Sequence, residues 1–157
     1  MRRVQSGFTL MELVVVITIL SILAAIALPK FAALQTEARI AKMNSTLGSI
    51  KIAAVLAHSV QLTQQLTLDT DITMEGSVIA MTNGYPTTAL ASIGTAAGLA
   101  NGTVAIAGFV PVATSATVFT VTPDVMHANC AVTYTPSAVV GTSPTYDNAG
   151  LTAANCQ

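Results

Sequence analysis

FTLMELVVVITILSILAAIAL, Phe8 to Leu28, is the stretch on which the rest of this chain depends. Its 21 residues are apolar apart from Thr9, Glu12, Thr18 and Ser21. Rising about 1.5 Å per residue as a helix, it is roughly 31 Å long, close to the hydrocarbon thickness of a bilayer. Hydroxyl side chains bond back to carbonyls of their own helix, so Thr9, Thr18 and Ser21 are expected to cost little in lipid. Glu12 has no such shelter. An acid inside a spanning helix costs at least about 2.5–3.5 kcal/mol on insertion scales, which marks it as a functional residue in need of a partner.

The seven residues before it, MRRVQSG, are short, basic and end in glycine. A cut after Gly7 leaves Phe8 with a free amine one turn above Glu12. Two plainer readings compete. One is an ordinary secretory signal cleaved at Ala25-Ile26-Ala27, opposed by the acid in the apolar run and by the length of that run. The other is an uncut membrane anchor. The first residue of the mature protein separates them: Phe8, Leu28 or Met1.

MRRVQSG-FTLMELVVVITILSILAAIALPKF, with G-F-T-L-x-E at Gly7–Glu12, closely resembles the leader and first helix of type IV pilins and type II secretion pseudopilins. That resemblance implies a membrane peptidase that cuts after Gly7 and methylates the amine of Phe8. It also implies helices that bundle into a filament, with Glu12 facing the amine of a neighbouring subunit. Physics is consistent with this role. An α-amine with a pKa near 8 is cationic at neutral pH. A mis-registered neighbour strands both charges, at about 3–5 kcal/mol, so Glu12 is expected to set register more than strength.

Charge is sparse and unevenly placed. Charged residues make up 8% of the chain, against roughly 25% in ordinary soluble proteins. All the bases lie at or before Lys51: Arg2, Arg3, Lys30, Arg39, Lys42 and Lys51. Asp69, Asp71, Glu75, Asp124 and Asp147 follow with no base among them, so the distal part has no basic patch for phosphates and nucleic-acid binding is discounted. Arg2 and Arg3 flank one end of the apolar run and Lys30 the other, which places the N-terminus in the cytoplasm and the C-terminal part beyond the membrane. In that oxidising space Cys130 and Cys156 are expected to pair and close the C-terminal loop, two buried thiols being the competing reading.

Further along, Pro29 is expected to bend the helix. Whether Ser21–Pro29 unwinds on assembly is left open, because this chain has Ser21 where pilins often carry glycine. Ile40, Met43, Leu47, Ile50, Ala54 and Ala57 recur at helical spacing and form a core stripe, so one long bent helix is expected from Phe8 to about Ser59. Gly48 within it reads as a mild weakness or a close-approach point. Residues 60–76 read as a connection. Its acids Asp69, Asp71 and Glu75 raise calcium as a possibility, but a solvated loop is preferred. Strands are expected at Ser77–Met81, Thr103–Val110, Thr117–Thr122 and Cys130–Thr135, with a turn at Asn83–Pro86 and a short helix over Ala89–Ala100. The tail from Pro136 shows no period and is expected to owe its order to the disulfide. NGYPT at Asn83–Thr87 and CAVTYT at Cys130–Thr135 resemble pieces of pilins of the mannose-sensitive-haemagglutinin type.

No catalytic or cofactor constellation emerges. His58 and the His127/Asp124 pair read as packed or solvated residues, and the sequons at Asn44 and Asn101 read as coincidence in a Thr/Ser-rich chain. Arg39 or Lys42 is expected to meet Asp69, Asp71 or Glu75 of an adjacent protomer.

The expected fold is α+β: a long bent N-terminal helix, apolar in its first half, packed on a small antiparallel sheet with a disulfide-closed loop. The expected divisions are 1–7 leader, 8–59 helix and 60–157 head. The resemblance implies a structural subunit and not an enzyme. It would be a single-pass inner-membrane precursor that polymerises into an extracellular type IV pilus for adhesion, motility or aggregation. Its implied partners are copies of itself, the prepilin peptidase and the assembly machinery, with no cofactor or metal. A type II secretion pseudopilin is the close alternative. A membrane-anchored periplasmic enzyme is the more distant one.

Overall fold

A computed structural model describes residues 7–106, 108–113 and 116–157. The chain divides into two compact units, Met1–Gln35 and Thr36–Gln157. Leader residues 1–6, including Arg2 and Arg3, lie outside the described residues.

One element, α1, runs unbroken from Leu10 to Thr63 and continues through Pro29. In the first unit it is the only regular element among the described residues, and its apolar side chains are exposed, Leu10 to 79%. Its most apolar 18-residue window has a mean hydropathy of 2.7, enough by length and composition to cross a membrane. The hydroxyls of Thr18 and Ser21 bond back to their own helix: Thr18 Oγ1 to the carbonyls of Val14 and Val15, and Ser21 Oγ to that of Ile17 at 2.7 Å.

In the second unit α1 buries Met43, Leu47, Ile50 and Ala54 against Phe119, Val121, Val132 and Tyr134. These four strand residues come from β8 (Phe119–Thr122) and β9 (Val132–Thr135), where every second side chain faces the helix. They belong to a four-stranded antiparallel sheet in the order β10-β9-β8-β7, completed by β7 (Val110–Ala113) and β10 (Thr145–Asp147). Cys130 and Cys156 are disulfide-bonded and lie in the same core. A second cluster packs Ala57 of α1 on Ile72, Ile79 and Met81.

Several elements differ from the sequence expectation. The helix extends four residues past Ser59, and its next residues are not a bare connection. Gln61 is fully buried, and its Nε2 donates to the carbonyls of Thr67, Leu68 and Thr70 at 3.0–3.2 Å, pinning the chain where it leaves α1. Within 60–76 lies β1 (Ile72–Met74), paired with β2 (Ser77–Ile79). The expected strand Ser77–Met81 therefore splits at Ala80, and its remainder starts β3 (Met81–Thr82). β3 pairs with β4 (Tyr85–Pro86) across Asn83-Gly84, both with positive φ, as a two-residue hairpin turn requires. Instead of an alanine-rich helix over Ala89–Ala100 there is one wide π-helical turn, Leu90–Gly94, with Ala100 already in β5 (Ala100–Asn101). The expected strand Thr103–Val110 is divided between β6 (Val104–Ala105), paired with β5, and β7. The tail is not ordered by the disulfide alone, because β10 pairs with β9 and Tyr146 packs on Tyr134 at 5.7 Å.

Gly48 is no close-approach point, because a methyl group there would meet nothing within 4 Å. Gly48→Ala is expected to stabilise the detergent-solubilised full-length chain by about 0.4–1 kcal/mol, a rise of a few degrees in thermal midpoint. An unchanged or lowered midpoint would show that the site is constrained in some other way.

Candidate assembly site and head bracing

The N-terminal site is built by the first turn of α1. Thr9 caps the helix: its Oγ1 accepts from Glu12 N–H at 3.2 Å. Glu12 Oε2 in return accepts from the Thr9 backbone N–H at 3.0 Å and from its hydroxyl at 2.8 Å. This is a reciprocal capping box, whose sequence signature is T-x-x-E at Thr9–Glu12. It corrects the expectation that Thr9 bonds back to a helix carbonyl, and it means that Glu12 has a partner within its own chain. Capping leaves one lone-pair side of the carboxylate uncommitted, since Oε1 takes no part in these bonds. Gly7 sits beside this turn in open space, with nothing within 4 Å of an added methyl group. Packing within the chain therefore gives no reason for a glycine at that position.

In the head, most of the sequence candidates are bracing groups. His58 stacks on Tyr85, with ring centroids 4.5 Å apart, and its Nδ1–H donates to the Gly84 carbonyl at 2.7 Å. A side chain on Gly84 would press on that ring, at 3.2 Å from Nδ1, while φ is +90°. Tyr134 Oη donates to the Pro86 carbonyl at 2.7 Å, and burial raises the Tyr134 pKa. NGYPT and CAVTYT, far apart in sequence, are thus joined by one buried hydrogen bond. Asp69 Oδ1 accepts from Asn83 N–H, and Asp71 Oδ1 from Met81 N–H. Among the described residues no group of three or more His, Cys, Asp or Glu is placed to hold a metal.

Asp124 is the centre of a second brace. Its Oδ1 accepts from the backbone N–H groups of Met126 and His127 and lies 2.7 Å from His127 Nδ1. Its Oδ2 lies 3.8 Å from Arg39 Nε, and Arg39 also donates to the Cys156 carbonyl. Lys42 donates to the Gly108 carbonyl and lies 4.3 Å over the Phe109 ring. Arg39 and Lys42 are therefore engaged within their own head.

The hydrogen bond to His127 holds the Asp124 carboxyl below its ordinary pKa. A depressed carboxyl contributes its stability above the unfolded value near 3.9 and loses it as pH falls through the folded value. Asp124→Asn is expected to lower the thermal midpoint at neutral pH and to narrow its gap from wild type below about pH 4. A gap independent of pH would assign the brace to hydrogen bonding without charge.

Residues 2–28 match the family model described as the prokaryotic N-terminal methylation motif. The chain is 50% identical over 56 residues to fimbrial protein EcpB of Eikenella corrodens, covering 34% of this chain and 35% of that protein. It is 43% identical over 51 residues to the type IV narrow pilus major component PilA5 of Thermus thermophilus, covering 32% and 44% respectively. With the type IV major fimbrial protein FimA of Dichelobacter nodosus it shares 38% identity over 53 residues, 34% of each chain. The matched stretch thus spans between about a third and under half of these relatives. No solved structure matches the chain. Over this N-terminal stretch the chain carries the methylation motif and is similar to type IV pilins.

Proposed function

We propose that this chain is a structural subunit of a type IV pilus. The prepilin peptidase cuts after Gly7 and methylates the amine of Phe8. The division that follows is a leader of residues 1–7, a helix that ends at Thr63 and a head that continues to residue 157. Before assembly the precursor is held in the inner membrane by Phe8–Leu28, with its N-terminus in the cytoplasm. The assembly machinery then packs these helices into an extracellular fibre, in which Glu12 faces the amine of a neighbouring Phe8. Pro29 is where the helix yields, because its ring removes one helix hydrogen bond.

The observation that carries this reading is G-F-T-L-x-E at the head of an apolar helix whose whole first half is uncovered. In water such a surface is untenable. In lipid it is solvated, and in a bundle of copies it is buried. Mass spectrometry of the N-terminal peptide from sheared surface material, with electron microscopy of the same sample, tests it. Methylated Phe8 in long fibres is expected. Intact Met1, or Leu28 at the N-terminus, refutes it.

A further inference from the structure

Asparagine is followed by glycine at two places, Asn83-Gly84 and Asn101-Gly102. The pair is reactive in itself. Because glycine carries no Cβ, its amide nitrogen reaches the carbonyl of the preceding asparagine side chain with little hindrance. Both pairs lie at two-residue hairpin turns, one between β3 and β4 and the other between β5 and β6. Sequence ranks them alike, but their surroundings differ.

The first turn is locked. Gly84 is buried, and its N–H donates to the Leu68 carbonyl at 2.9 Å. Asn83 Nδ2 donates to the Ser137 carbonyl at 2.9 Å, and the Asn83 N–H is held by Asp69 Oδ1. His58 and Leu68 pack so close that a methyl group on Gly84 would lie 3.2 Å from each. The attacking nitrogen and the side chain it would attack are thus tied to separate segments of the head.

The second turn is loose. Asn101, Thr103 and both residues of β6 are exposed. β5 and β6 pair with each other alone, over two residues each, and so small a ladder opens readily. Among the described residues, neither the Asn101 side chain nor the Gly102 N–H makes a hydrogen bond. Gly102 is contacted through its carbonyl instead, which accepts from Thr95 Oγ1 at 3.4 Å. A methyl group on Gly102 would meet nothing within 4 Å, so the peptide has room to turn.

We propose that Asn101 is a site of spontaneous deamidation and that the fold protects Asn83 from the same reaction. The Gly102 amide nitrogen adds to Asn101 Cγ. A C–N bond forms, the Cγ–Nδ2 bond breaks, and ammonia leaves with the proton from Gly102. Water then opens the cyclic imide. Opening at Cγ gives an ordinary aspartate at position 101, and opening at the backbone carbonyl gives an isoaspartyl linkage. Either product adds a carboxylate to the cleft that Asn101 lines together with Glu75, in a head with no base after Lys51. In a subunit that is not replaced, the converted fraction grows with time since folding.

The test incubates the purified full-length chain in detergent at mildly alkaline pH, beside a sample that is reduced and unfolded. Peptide mass spectrometry reads the mass gain of NH2 replaced by OH, and isoaspartate methyltransferase labels the isoaspartyl product. In the folded chain, conversion at Asn101 is expected to exceed that at Asn83 about tenfold or more. Two hydrogen bonds must break first at Asn83, each worth on the order of a factor of five. In the unfolded sample the two sites are expected to convert at similar rates. Equal conversion in the folded chain overturns the proposal, as does an Asn101 that stays intact while the unfolded chain converts. The same preference in the unfolded chain assigns the difference to sequence and also overturns it. Neither sample requires a fibre, so the result is independent of the proposed assembly.

Discussion

Glu12→Val is expected to leave cleavage after Gly7 intact and to reduce sheared fibre to a small fraction of wild type or to none. The substitution removes two things at once. It deletes the reciprocal half of the capping box and so weakens the first turn. It also deletes the charge proposed to face the Phe8 amine of a neighbour. Glu12→Gln separates them, because its amide oxygen still accepts from Thr9 while the charge is gone. If charge pairing sets subunit register, Glu12→Gln assembles as poorly as Glu12→Val, because the neighbouring amine is left unpaired at about 3–5 kcal/mol. Wild-type fibre from Glu12→Gln assigns the residue to capping alone, and wild-type fibre from Glu12→Val removes it from assembly. N-terminal sequencing of each variant shows whether the peptidase step was spared.

The second large effect concerns the disulfide. Cys130 and Cys156 are fully buried, separated by 26 positions, and join the start of β9 to the end of the described chain. Replacing both by serine is expected to destabilise the head by about 3–4 kcal/mol in the chain-entropy model. The corresponding fall in thermal midpoint is on the order of 10 °C. The burial of both sulfurs adds to this, since two hydroxyls would take their place in an apolar core. Cys130→Ala with Cys156→Ala isolates the cross-link term. Reduction of the unaltered chain gives a third measure, expected to act slowly because the sulfurs are covered. A midpoint unchanged by either double substitution would show that the sheet and the Asp124 brace hold the C-terminal loop without the cross-link.

These outcomes bear on how residues here divide between assembly and folding. Glu12 is hydrogen-bonded within its own chain but meets no opposite charge there among the described residues. Arg39 and Lys42, which resemble free bases in sequence, spend their charges on the head. The large apolar side chains left exposed lie mainly in the first half of α1, with Val125 and Met126 exposed in the head.

Sequence by itself determined the features that depend on neighbours in the chain. The apolar run and its lone acid, the G-F-T-L-x-E motif, the helical stripe from Ile40 to Ala57 and the Asn-Gly turn are all readable because helix and hairpin periods lie within a few residues. The capping box was equally local and equally readable. Tertiary structure decided what depends on residues distant in sequence. β10 is three residues long with Tyr146 alone turned to the core, too short for its alternation to announce it, and it exists by pairing with β9. Gln61 resembles any surface glutamine until the chain turns back and presents three carbonyls to it. The bond from Tyr134 to Pro86 spans 48 residues. The engagement of Arg39 by Asp124 likewise arises only when separate segments are brought together by the common core. Local pattern encodes which elements form, but the partner of each charge and carbonyl is set by packing between them, because those contacts have no period along the chain.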